Sequence, residues 1–75
     1  MDQTAKDFFR SLKSAEKDAI ADRCGIKRTY LNNLIYSSNK ASVPLAAKLE
    51  QATGYKVSRV TIRPDVNWKL IAGTL

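Results

Sequence analysis

The sequence contains no histidine and only one cysteine, Cys24, in 75 residues. Without an imidazole it has no side chain whose ordinary titration lies near neutrality, and one thiol makes neither an internal disulfide nor a zinc site. No nucleophile or acid–base pair of the kind enzymes use stands out, so the chain reads as a non-enzyme that needs no cofactor and no metal. Cys24, at the end of an apolar pattern, reads as a small core residue rather than a redox sensor. Long hydrophobic runs are missing too: nothing approaches the roughly 18 apolar residues that span a bilayer. Met1 to Leu12 lacks the apolar centre of a signal peptide. The expectation is a cytoplasmic protein without membrane contact. Linkers, repeats and low-complexity stretches are also absent, and a chain this short makes one small domain.

Acidic residues are scarce in one half of the chain. Residues 1–26 carry five cations (Lys6, Arg10, Lys13, Lys17, Arg23) and five acids, whereas residues 27–75 carry eight cations against Glu50 and Asp65, which is the whole excess of +6. No acid at all lies between Lys27 and Leu49. A basic half beside a neutral half points to a polyanion partner, nucleic acid or an anionic membrane surface, or else to a basic face kept for solubility.

What is present is helical periodicity. Ala5, Phe8, Phe9 and Leu12 follow the i, i+3, i+4, i+7 spacing of an amphipathic helix that Asp2 or Thr4 can cap. Ser14 is placed to cap a second helix with Ile20, Ala21 and Cys24 inward, ending at Gly25. The third, Arg28 to Tyr36, divides on a wheel: Arg28, Thr29, Asn32, Asn33 and Tyr36 fall within roughly 140° of arc, and Tyr30, Leu31, Leu34 and Ile35 fill the rest. "SSNK" (37–40) reads as a polar loop. Ser42 followed by Pro44 opens a fourth helix with Leu45, Ala46, Leu49 and Ala52 inward, and Gly54 stops it. In "VSRVTIRPD" a short helix capped by Ser58 and halted by Pro64 is favoured over a strand.

Two short helices joined at a glycine, the second with a polar face beside a cation-rich loop, follow the helix-turn-helix plan. Counting from Lys17, the fifth residue is the small Ala21, the ninth is Gly25, and the fifteenth and eighteenth are the apolar Leu31 and Leu34. Small, turning and locking residues thus stand together where two crossing helices need them. "KDAIADRCGIKRTYLNNLI" resembles the helix-turn-helix unit of Cro/repressor-type (XRE-like) regulators of phages and prophages. "LEQATGYKVSRVTIRPDV" is similar to the end of YdaS-type and Cro-like prophage repressors. The resemblance runs from about Phe8 to Val66. It departs at Lys27, where many relatives carry a small capping residue, and in "NWKLIAGTL". It implies an all-α, lambda-repressor-like fold, a bundle of about four to five helices, with the DNA-binding domain at 1–65 and an apolar tail at 66–75.

It also implies double-stranded DNA as partner, with the third helix in the major groove, where each base pair shows a distinct donor and acceptor pattern. Arg28 suits the two acceptors of guanine, Asn32 the acceptor and donor of adenine, and Thr29 a base or a thymine methyl, with Asn33 further round the face. Phosphates fall to Lys17, expected to start the second helix, to Lys27, and to Tyr36, Ser37, Ser38, Asn39 and Lys40 after the third. A homodimer on a palindromic operator is expected, because one recognition helix reads few base pairs and two half-sites about 34 Å apart double the readout. Val66, Trp68, Leu70 and Ile71 form the expected dimer segment, or else close the core of their own chain. Two other readings stay open: an antitoxin that neutralises a toxin partner while binding DNA through the same unit, and a protein-binding module built on the same scaffold.

Overall fold

The computed structural model describes residues 1–71 of the chain, the side chain of Ile71 excepted. Six helices follow one another: α1 (Gln3–Ser11), α2 (Ser14–Cys24), α3 (Arg28–Tyr36), α4 (Val43–Ala52), α5 (Arg59–Ile62) and α6 (Trp68–Ile71). Among the described residues there is no strand, so the all-α expectation holds. The sixth helix is a single turn added to the bundle read from the sequence.

Local chemistry sets most boundaries. Asp2 caps α1 by accepting the Ala5 N–H at 2.9 Å, and Ser42 caps α4 by accepting the Leu45 N–H at 3.2 Å. Ser58 accepts from Thr61 at 3.3 Å to start α5. Glu50, from α4, adds a cap that no local pattern contains, accepting the Arg59 N–H at 2.9 Å. The α2 start differs from expectation: Ser14 is the first helical residue and Lys13 holds the cap position. Glu16 reaches back to the Lys13 N–H at 3.4 Å, and a lysine side chain offers no acceptor in return, so only half of a reciprocal capping arrangement forms. Gly25 closes α2 at φ +68°, and the Ile26 N–H returns to Ala21 O at 3.0 Å, which turns the chain into α3.

Tyr55, just after Gly54, also has positive φ (64°), a conformation unfavourable for a residue with a Cβ. The turn is held by the Tyr55 N–H on Glu50 O at 2.9 Å.

The core takes one or more large side chains from each of the first five helices except α2: Phe9, Leu31, Leu34, Ile35, Leu49 and Ile62 are all fully buried. From α2 come Ile20, Ala21 and Cys24. Each large aliphatic or aromatic side chain contributes on the order of 1.5–3 kcal/mol by leaving water. Helix α2 packs on α3 and α4, while α1 packs on α3 and α5. The N-terminus is pinned by the Asp2 N–H on Thr61 O at 2.8 Å.

Trp68 closes this same core. It is buried, donates its indole N–H to Arg63 O at 3.0 Å, and lies under the Arg59 guanidinium at 5.2 Å. Val66 packs partly buried against the cluster. Among the described side chains expected to form a dimer segment, Leu70 stands in solvent, 78% exposed. The Ile71 side chain and Leu75 lie outside the described residues.

Candidate nucleic-acid interface

Helix α3 is fixed from behind and presents its front. Leu31, Leu34 and Ile35 are buried against the bundle, whereas Thr29, Asn33 and Tyr36 are exposed and Arg28 and Asn32 half-buried. The close crossing depends on Ala21, which is 3% exposed on α2. Lys27 occupies the α3 cap position, where its ammonium, a donor only, cannot cap the helix, and it joins none of the ion pairs among the described residues.

Arg28 and Asn32 are not independent side chains. The Arg28 Nη1 donates to Asp18 Oδ1 at 2.8 Å and to Ser14 O at 3.1 Å, and its Nε donates to Asn32 Oδ1 at 3.2 Å. A two-pronged contact to guanine uses Nη2 together with either Nη1 or Nε, and both of those are engaged here. Asn32 is held by one lone pair of its oxygen and keeps its amide N–H groups. This network joins the polar face of α3 to α2, and Asp18 is its anchor. Asp18 has no place in a wheel drawn for α3 alone; its signal is its position one residue after Lys17 on the neighbouring helix.

At the far end of α3 the geometry corrects the expectation for Lys17. It does not start α2: it is the fourth residue of that helix, its N–H bonded to Lys13 O at 3.1 Å. Its side chain is only 7% exposed, with Nζ donating to the Tyr36 hydroxyl at 3.0 Å. Arg10 approaches the Tyr36 ring at 5.4 Å and Lys17 at 5.5 Å. The Lys17 hydrogen bond, aided by these charges, lowers the Tyr36 phenol below its usual titration range. Lys6 reaches Ser37 O at 3.4 Å. Lys6 and Arg10 lie outside the helix-turn-helix pattern, and their one signal in the sequence is the i, i+4 spacing that puts them on one stripe of α1.

The loop after α3 is exposed from Ser37 to Lys40. Ser37 donates its hydroxyl to Asn33 O and accepts the Asn39 N–H at 3.3 Å, which shapes the turn. Lys40 pairs with Asp65 at 3.3 Å, and Asp65 also takes both the Nε and Nη2 of Arg63 at 2.9 Å. Arg63, foremost, holds the Asp65 carboxyl well below the usual carboxylate range. Thus the loop is tethered to the chain beyond α5. Among the described residues no cluster of potential metal ligands occurs, and no helix is long and apolar enough to cross a membrane.

Residues 16–71, from α2 through α6, match the family described as bacterial toxin YdaS. A prophage transcriptional regulatory protein of Escherichia coli (strain K12) is 33% identical over 61 residues, which is 81% of this chain and 92% of that protein. A two-helix unit turning at Gly25, a polar third helix and the extent of both matches lead to one conclusion: this chain belongs to the YdaS family.

Proposed function

We propose that the protein is a sequence-specific, double-stranded-DNA-binding regulator of prophage transcription, acting as a Cro-like repressor through α3 in the major groove. The observation that carries this reading is the α3 surface itself: hydrogen-bonding side chains on the front, three buried aliphatic residues behind, and no acid from Lys27 to Leu49. The E. coli relative's description as a transcriptional regulator supports it. Thr29, Asn32 and Asn33 read base edges, with Arg28 joining them once it leaves Asp18. Lys27, Tyr36, Ser37, Ser38 and Asn39 hold phosphates, with Lys40 contributing when its exposed pair with Asp65 opens. Two copies bind a palindrome, with Leu70 in the contact between them.

Selection of bound duplexes from a random pool tests this directly. A palindromic consensus with half-site centres near one helical turn, about 34 Å, is expected. Arg28→Ala and Asn32→Ala should each reduce discrimination at one position of the half-site by roughly 1–3 kcal/mol. A protein that enriches no sequence is not such a regulator.

The family's description as a toxin favours a second reading, in which the chain is one member of a toxin–antitoxin pair. Induction in cells separates the two. If growth arrest follows expression and survives Asn32→Ala together with Arg28→Ala, the harmful activity lies outside the DNA-reading face.

A further inference from the structure

Lys17 presents an unbalanced account of charge. It is 7% exposed, and none of Lys6, Arg10 and Lys17 takes part in an ion pair among the described residues. Of the three donors on its ammonium, one is used, on the Tyr36 hydroxyl. Taking a cation out of water without a counter-charge is costly. Attraction to the carbonyl end of α3 explains why Lys6 sits on Ser37 O. It does not explain why Lys17 is buried beneath an exposed phenol.

We infer that Lys6, Arg10 and Tyr36, set over buried Lys17, form a seat for one phosphodiester group of duplex DNA, contributed by α1 from outside the helix-turn-helix. The geometry suits that ligand. The Tyr36 oxygen accepts from Lys17, so its own O–H is free to donate to an anion. Arg10 stands against the same ring with an exposed guanidinium, and the Lys6 ammonium is held beside the end of α3. An anion among these groups receives hydrogen bonds from three side chains on two helices, α1 and α3, and supplies the charge that Lys17 lacks. Tyr36 then acts as the bridge: the lysine positions it, and the phosphate meets it.

This inference rests on duplex DNA being the partner, yet it is separable from base reading because phosphate contacts are made on any sequence. Binding is measured across a range of salt concentrations, on the selected operator and on an unrelated duplex, for the wild type, Arg10→Ala, the double variant Lys6→Ala with Arg10→Ala, and Lys56→Ala as control. Lys56 lies beside Phe8 and Leu12, on the other flank of α1. Folding of each variant is checked by circular dichroism.

On the unrelated duplex, Arg10→Ala should lower the slope of log affinity against log salt by about 0.9, and the double variant by about twice that. The operator should lose affinity by the same factor, and Lys56→Ala should resemble wild type. If the double variant keeps the wild-type slope on both duplexes, the seat does not exist. If the slope falls as expected while wild type does not discriminate operator from unrelated DNA, base reading by α3 fails and the seat stands. Failure of the wild type to bind either duplex overturns both.

Discussion

At the scale of single residues, the polar face of α3 is preset by weak contacts. The ion pair between Arg28 and Asp18 is partly in solvent, with side chains 28% and 61% exposed, and exposed pairs of this kind contribute about 0–1 kcal/mol. A good base contact discriminates by roughly 1–3 kcal/mol. On the function proposed above, Arg28 gives up little when it leaves Asp18 for a base, and until then the pair keeps Arg28 and Asn32 from wandering. Asp18→Asn should tighten operator binding by up to about fivefold, the equivalent of 1 kcal/mol, with little change in salt slope. A fluorescence titration measures it, and weaker binding would mean that Asp18 organises the face more than it restrains it. The polar identity of the α3 face was legible from spacing alone. Its partners were not, because Ser14 and Asp18 come within reach of Arg28 only after α2 and α3 cross.

Among the elements, the α2–α3 crossing determines where that face points. Ala21 gives the space for it, and a larger side chain there must push α3 outward or leave its preferred rotamer. Ala21→Leu should cost about 1–3 kcal/mol, seen as a lower urea midpoint, and should weaken operator binding beyond what the stability loss explains. Periodicity and caps read this level well: α1, α3, α4 and α5 begin or end at Asp2, Arg28, Ser42 and Ser58 much as their local signals require. Ser14 carries a good local cap signal, a hydroxyl in front of an apolar pattern, while the half-box from Glu16 begins the helix one position earlier. The cap on α5 from Glu50 could not be read locally, since its two groups are nine residues apart and meet by the packing of α4 on α5.

For the whole molecule, the tail divides between two tasks. Trp68 is core, and its removal leaves a large hole in a chain with few large buried groups. Trp68→Ala should destabilise by about 3–5 kcal/mol in thermal or urea unfolding. Leu70 is surface, so Leu70→Lys should leave stability within about 0.5 kcal/mol. If Leu70 lies between two copies, sedimentation should show the lysine variant as monomer where wild type is dimer. A dimeric lysine variant would place the contact elsewhere. By itself the sequence determined the helices, the turn at Gly25, the apolar seam of α3 and the one-sided charge. These follow from periodicity, from the left-handed conformation a glycine accepts without strain, and from the count of ionised groups, all of them local or additive. Tertiary structure alone decided that Lys17 is buried, that Arg10 and Lys6 join the end of α3, that Asp18 holds Arg28, and that Trp68 faces inward. Each is a meeting of groups distant along the chain, fixed by which helices touch, and no periodicity within one helix records its neighbour.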